Sequence, residues 1–360
     1  MKKISLIFTL IFALSCTNNE NTSSEDSQNQ NNSVAEKPAT IEVSIPLVKA
    51  KIGDNIALSI NEKDTLAFDS VVVFANKKRI ASFLENTATI NWNSKAAKVG
   101  NFFFTVESYH KGKKTIASKS IELLSDIVPE KYTFKIHKTY QHDSKAYTQG
   151  LFWHNGFMYE GTGLKGYSTL RKVDLKTGAI LQNYTIQEDY FGEGITLYNN
   201  KIIQLTWRSN VGFVYDLNTF ELLDKFNYPR EGWGITTLGD SLVMSDGTAT
   251  LYFLSTQNYS ELSRIEVYDD QGAVPYLNEL EFINNEIWAN IYGEQQIVCI
   301  DPNTGKVLKR IDFSTILDKA DDHRNIDVFN GIAYNSADKK IYVTGKNWPK
   351  IYEITVFKKQ

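Results

Sequence analysis

The sequence predicts an all-β chain, a five-bladed β-propeller preceded by a small immunoglobulin-like β-sandwich, and three observations predict it. Composition favours strands: 12% of residues are aromatic, with 19 Tyr and 20 Phe beside many Val, Ile and Thr, which suit a pleated, half-buried surface. A hairpin recurs, reading strand, Asp-x-x-Thr turn, strand at Val173 to Leu181, Tyr215 to Leu223 and Ile300 to Leu308, with a degraded copy at Leu254 to Tyr259. A second feature precedes those hairpins: Gly150-Leu151, Gly194-Ile195, Gly234-Ile235, Glu279-Leu280 and Gly331-Ile332 each open an apolar strand, at spacings of 44, 40, 45 and 52 residues. Units of that period, each of four strands, are the signature of propeller blades.

Residues 1–16 read as a lipoprotein signal peptide. Met1-Lys2-Lys3 supplies the positive start, Ile4 to Leu14 an apolar stretch too short to span a bilayer, and Ala13-Leu14-Ser15 small residues before Cys16. A cysteine in that place resembles the bacterial lipobox, with Ala13 where Leu is usual, and predicts a lipidated Cys16; the alternative is an ordinary signal with an incidental cysteine. Residues 17–40, almost all Asn, Ser, Gln, Glu and Thr, are too polar to offset their ordering entropy and read as a disordered linker. The expected location is the bacterial cell envelope, exported and lipid-anchored, on the periplasmic or surface face.

Residues 41–127 show short alternating runs such as Ile41 to Ile45, Asn55 to Ile60, Val71 to Phe74 and Asn101 to Val106, about seven strands in all, which fit the immunoglobulin-like sandwich. Val128-Pro129-Glu130 reads as a hinge to the propeller at 131–357. The fifth unit ends after Val356, too early for its outer strand, and Tyr132 to Ile136 can supply that strand and close the ring, removing free edges. Net charge is −3 with both signs interspersed, so no one-sided positive field exists for nucleic acid. Of the two cysteines, Cys16 belongs to the export segment and Cys299 reads as a buried core thiol, which leaves no disulfide framework.

Blade geometry places the chemistry. Residues just before each inner strand converge at one end of the axis, and in register they are Gln149, Glu193, Trp233, Asn278 and Asn330. The next strand of each blade returns to the same rim, carrying Glu160, Trp207, Asp246, Asn290 and Lys346; repeated acids such as Glu160 and Asp246 read as anchors for backbone amides. Aromatic walls around carboxylates, carboxamides and one lysine suit a small-ligand pocket. The sequence has no His cluster of metal-ligand spacing, no Gly-x-Ser-x-Gly elbow and no phosphate-cradling glycine loop. His142 and His323 read as loop residues without a role.

Seven ordered motifs, Tyr147-Thr148-Gln149-Gly150-Leu151, Phe191-Gly192-Glu193-Gly194-Ile195-Thr196, Leu205-Thr206-Trp207, Gly232-Trp233-Gly234, Asn278-Glu279-Leu280-Glu281, Trp288-Ala289-Asn290 and Val343-Thr344-Gly345-Lys346-Asn347-Trp348-Pro349, resemble the plant-type glutaminyl-peptide cyclotransferases. The likeness covers about residues 133–356 and not the sandwich. It implies closure of an N-terminal glutamine to pyroglutamate with release of ammonia, on peptides or proteins. It also implies Glu193 as general acid/base, with Gln149, Asn278 and Lys346 holding the substrate amide and Trp207 and Trp233 walling the pocket. Tyr147 stands where Phe is common and Tyr292 where Trp is expected, each keeping an aromatic face; with Phe191 and Asn330 they complete the expected substrate-binding set. The resemblance implies no required cofactor or catalytic metal, unlike the zinc-dependent animal cyclases of unrelated fold. It does imply a structural divalent cation in the propeller channel, for which the sequence shows no ligands.

The chemistry asks for such residues. The neutral α-amine attacks the side-chain carboxamide carbon, positioning alone lowers the barrier of an intramolecular step, and one carboxyl group can carry the proton. Donors for the developing oxyanion are expected from Lys346, Gln149 and Asn278. The alternative, from another class, is a non-catalytic cell-surface propeller that binds a peptide or protein partner, because fold alone does not fix function.

Overall fold

Strands account for the architecture of the computed structural model, which describes residues 41–63, 68–84, 87–318, 321 and 325–360. The signal segment with Cys16, the linker at 17–40 and His323 lie outside the described residues. Among the described residues there is no α-helix; one short 3₁₀ turn, Ser94–Ala96, is capped by the Asn93 side chain.

Residues 41–124 form two sheets that share one core. Ile41–Ser44, Asn55–Glu62 and Thr87–Asn93 make the first; Lys49–Lys51, Lys113–Leu124, Gly100–His110, Ser70–Ala75 and Lys78–Phe83 make the second, in that spatial order. Period-two alternation decides which face turns inward. Val71, Val73 and Ala75 are buried along one strand and Phe102, Phe104 and Val106 along its neighbour, and they meet Ile56, Leu58 and Ile60 of the opposite sheet. Trp92 stacks on Phe102 with ring centres 4.5 Å apart, adding aromatic contact to that core.

The rest of the chain builds antiparallel four-stranded sheets at residues 148–185, 192–227 and 235–266, and a fourth set of four antiparallel strands at 277–312 that runs on into the last sheet to make eight strands in all. The final sheet takes three strands from Phe329–Asn335, Lys340–Gly345 and Lys350–Lys358 and its outermost strand from Glu130–Gln141. That strand runs antiparallel to Lys350–Lys358, with Tyr132 opposite Lys358 and Ile136 opposite Ile354. On its other side Glu130–Tyr132 pairs in parallel with Lys309–Ile311, so the segment preceding the ring joins its last two sheets.

Separate apolar layers seal each junction. Phe152 and Leu170 pack with Ile195 and Phe213, Val214 with Ile235 and Met244, and Val243 with Leu280 and Ile287. Ile297 and Ile311 pack with Ile332 and Val343, and Leu151 and Met158 with Ala333 and Tyr342, which returns to the first sheet and closes an all-β ring. Cys299 is buried in one of these layers, as expected.

At the axis the inner strands touch backbone to backbone. A methyl group added at Gly150 would lie 2.3 Å from the Ile195 nitrogen, at Gly194 2.6 Å from the Trp233 oxygen and at Gly234 1.9 Å from the Asn278 oxygen, so only glycine fits. In the fourth sheet Glu279 takes the glycine's place. Its carboxyl spans the axis, accepting from the Leu151 N–H at 3.3 Å and the Ile332 N–H at 2.9 Å.

The sandwich is seated on the ring. The Asn101 N–H and side-chain amide donate to the two Glu266 carboxyl oxygens at 2.6 and 2.9 Å, and Tyr268 enters the sandwich core. Gly100, at φ +112°, makes the room: a side chain there would collide with Glu266.

Candidate functional site

Four inner strands carry a register shift at their first turn into the ring, between Thr148 and Gly150, Gly192 and Ile195, Leu277 and Leu280, and Phe329 and Ile332. A bulge leaves residues out of the ladder and re-aims their side chains. The freed residues are Gln149, Glu193, Asn278 with Glu279, and Asn330. In the third sheet Trp233 stands just ahead of the inner strand, its N–H given to the Ser245 oxygen at 3.0 Å.

One cavity of about 230 Å³ results, lined by Tyr147, Gln149, Phe191, Glu193, Trp207, Trp233, Asn278, Tyr292 and Lys346. Residues from every sheet of the ring, from Gln149 of the first to Lys346 of the last, thus meet in one place. Asn330 does not join them. Its amide nitrogen donates to the Thr148 carbonyl at 3.1 Å, and the side chain serves the junction between last and first sheets. Of the second-strand ends, Trp207 and Lys346 reach the cavity and the others do not: Asn290 accepts from the Gly331 N–H at 3.0 Å, Asp246 accepts from Thr248 and Tyr252, and Glu160 is bound to His142 and Thr148. His142, read from sequence as a loop residue without a role, is therefore buried and paired.

Aromatic rings stand on two sides. Tyr147 meets Phe191 edge to face, Phe191 meets Trp207 at 5.6 Å, and Trp233 meets Tyr292 at 5.5 Å. Glu231, which the sequence reading missed, links the two walls: one of its oxygens accepts from the Trp207 indole N–H at 2.7 Å and the Trp233 indole N–H at 3.1 Å. Its other oxygen accepts from Arg208 at 2.9 Å, whose guanidinium lies over the Trp207 ring. The only sequence signal was an acid two places before Trp233.

Glu193 is 5% exposed and Lys346 3% exposed. Burial pushes the Glu193 carboxyl well above the usual carboxylate range; the Lys346 ammonium pulls it back and the Glu231 carboxylate adds to the rise. The same burial lowers Lys346, against the pull of Glu193 and Asp327. The ammonium lies over the rings of Tyr147 at 4.8 Å and Tyr292 at 5.3 Å, a cation–π cradle for a desolvated charge. Burial, and then the Asp327 carboxylate, raises Tyr147 above the ordinary phenol range.

Gln149 donates to Glu193 at 3.1 Å. Its carbonyl oxygen and that of Asn278 are buried without a partner, two acceptors held at the site. A buried acceptor left unmade is unfavourable by about 1–3 kcal/mol, which a ligand N–H would relieve. Among the described residues no three His, Cys, Asp or Glu side chains stand close enough to hold a metal ion. The axial Glu279 already commits both oxygens to main-chain N–H groups, so the residues do not fit a carboxylate-held channel cation.

The ring and this pocket define an all-β, propeller-like protein with a buried, raised carboxyl beside amide acceptors and an ammonium donor. The chain belongs to the glutamine cyclotransferase family, whose pattern it matches over residues 111–356. It is 43% identical over 220 residues to the glutaminyl-peptide cyclotransferase of Arabidopsis thaliana, across 60% of this chain and 68% of that one. The crystal structure of Myxococcus xanthus glutaminyl cyclase is similar with a TM-score of 0.60 and 30% identity, covering 64% of this chain and 100% of the other.

Proposed function

We propose that this chain converts the N-terminal glutamine of peptides or proteins to pyroglutamate and releases ammonia, with Glu193 as general acid/base. The observation that carries the reading is a buried, raised carboxyl, bonded by Gln149, in one cavity with Asn278 and Lys346. The α-amine nitrogen attacks the side-chain carboxamide carbon, forming the ring C–N bond; Glu193 accepts the amine proton and returns it to the departing nitrogen, whose C–N bond breaks as ammonia leaves. A carboxyl raised toward the working pH suits both halves of that transfer. The free oxygens of Gln149 and Asn278 fit the two N–H bonds of the substrate carboxamide, which changes their expected part from oxyanion donors to acceptors. Lys346 remains the donor for the developing oxyanion. The aromatic walls hold the chain in a near-ring conformer. The reaction is read as running on these groups without a cofactor.

Glu193→Gln keeps the shape and removes the proton carrier. Ammonia release from a Gln-initiated dipeptide should fall by about 10² to 10⁴-fold. Turnover at the wild-type rate would refute the mechanism, and no release by the wild-type chain would favour a binding protein instead.

The wider architecture is read as a five-bladed propeller at 131–357 preceded by an immunoglobulin-like sandwich at 41–127. The four-stranded sheets, the strand supplied by Glu130–Gln141 and the shared sandwich core support it. Lipidation of Cys16 after export would tether both to the cell envelope. Cys16→Ser should move the protein from the membrane fraction to the soluble one on fractionation.

A further inference from the structure

His142 lies in the connection from the outermost strand of the last sheet to the inner strand of the first. Its side chain is 4% exposed and that of Glu160 3%. The Trp348 carbonyl oxygen stands 2.6 Å from Nδ1, and Glu160 Oε1 stands 2.9 Å from Nε2. Both ring nitrogens therefore meet acceptors, and the ring satisfies both only as imidazolium. Glu160 is placed to be its carboxylate partner: the same oxygen accepts from the Thr148 hydroxyl at 2.7 Å, and Arg171 stands 3.9 Å from the other. Burial opposes the imidazolium, but the Glu160 carboxylate, its hydrogen bond and the Trp348 carbonyl outweigh it and the value is raised.

What this pair joins is the pocket. Thr148 immediately precedes Gln149, whose amide holds Glu193. Trp348 follows Lys346 by two residues, and that turn is tied to the same connection by the Pro349 carbonyl, which accepts from the His142 N–H at 2.9 Å, and the Ala146 carbonyl, which accepts from the Asn347 N–H at 2.8 Å. Of the groups that line the cavity, Gln149 comes from the first sheet and Lys346 from the last, and the ion pair spans the seam between them.

We propose that His142 and Glu160 are positioning residues for the reaction, a buried ion pair that fixes Gln149 and Lys346 relative to each other across the seam of the ring. The inference rests on the function proposed above. Neither residue touches the cavity, so the pair acts through Thr148 on one side and the Trp348 turn on the other. Misplacing a holding group by about 1 Å can lower turnover up to about 10²-fold, so a loosened seam reports in kcat.

The test compares His142→Gln, Glu160→Gln and the double variant in the full chain, assayed for ammonia release from a Gln-initiated dipeptide at a temperature where each is folded by circular dichroism. Each single variant should lose about tenfold in kcat while KM changes by less than about threefold. The double variant should be no worse than the poorer single, because both changes break one pair. Folded variants with kcat within twofold of wild type would overturn the proposal, however much their melting temperatures fall. If a lone buried charge prevents folding of the singles, Thr148→Val removes only the hydroxyl link. It should lower kcat several-fold, and wild-type kcat in that variant would equally overturn the inference. A wild-type chain that releases no ammonia refutes the underlying function; an active wild type with unaffected variants refutes only the seam.

Discussion

Glu193 and Glu231 divide one task between them. In the proposed reaction Glu193 takes and returns a proton, and Glu231 places a negative charge behind the two indoles that raises the Glu193 carboxyl. Glu231→Gln leaves an oxygen for the indole N–H groups but removes the charge. The carboxyl of Glu193 should then ionise more readily, and the acid limb of the kcat/KM profile should move to lower pH. A profile that stays in place, or moves to higher pH, would show that Glu231 orients the tryptophans and nothing more.

Elements set where those residues point. The bulges at Gln149, Glu193 and Asn278 are tolerable because glycine lets neighbouring inner strands come into contact immediately beside them. Gly234→Ala should be the severest of the axial changes, since its methyl would drive the Asn278 carbonyl away. Overpacking of this kind is unfavourable by about 1–3 kcal/mol, and here it also displaces a pocket residue. The expected outcome is a lower melting temperature by calorimetry together with a larger loss of turnover than Gly239→Ala, whose glycine meets no neighbour and is constrained only by its own left-handed backbone at φ +56°. Local patterns made much of this legible. Turn chemistry and the glycine-apolar repeat marked each inner strand, and the residue ahead of it reached the cavity in four sheets. The same register misassigned Asn330, because a long-range bond to the Thr148 carbonyl, invisible to any local pattern, claims its amide. The His142–Glu160 pair was missed for the same reason, its members lying in different segments, and Glu231 was missed because its link to Trp207, 24 residues away, is equally invisible locally and its place two residues before Trp233 was the only sign.

At the scale of the whole molecule, burial raises carboxyl groups at and near the axis. Burial raises Glu281 to about 8, despite an N–H from Tyr334, and burial with the neighbouring Glu281 carboxylate raises Glu279 well above the usual carboxylate range. An unfolded glutamate ionises near about 4.3, so between that value and about 8 the folded chain binds the extra proton at Glu281. Stability from this group is present below the unfolded value and is lost as pH rises through the window, at up to about 1.4 kcal/mol per pH unit. Denaturant unfolding across that range should therefore show falling stability, and Glu281→Gln should flatten the slope. An unchanged slope in the variant would place the titration elsewhere.

The strand that latches the last sheet, Glu130–Gln141, is also the first of the ring to leave the ribosome, and it has no antiparallel partner until Lys350–Lys358 follows it. Every intermediate length of chain thus carries an open seam, and none brings Lys346 against Tyr147. Translation must pass Lys346 and the strand Lys350–Lys358 before the cavity has its lysine and the seam its partner, so a chain that stops short of that strand should release no ammonia.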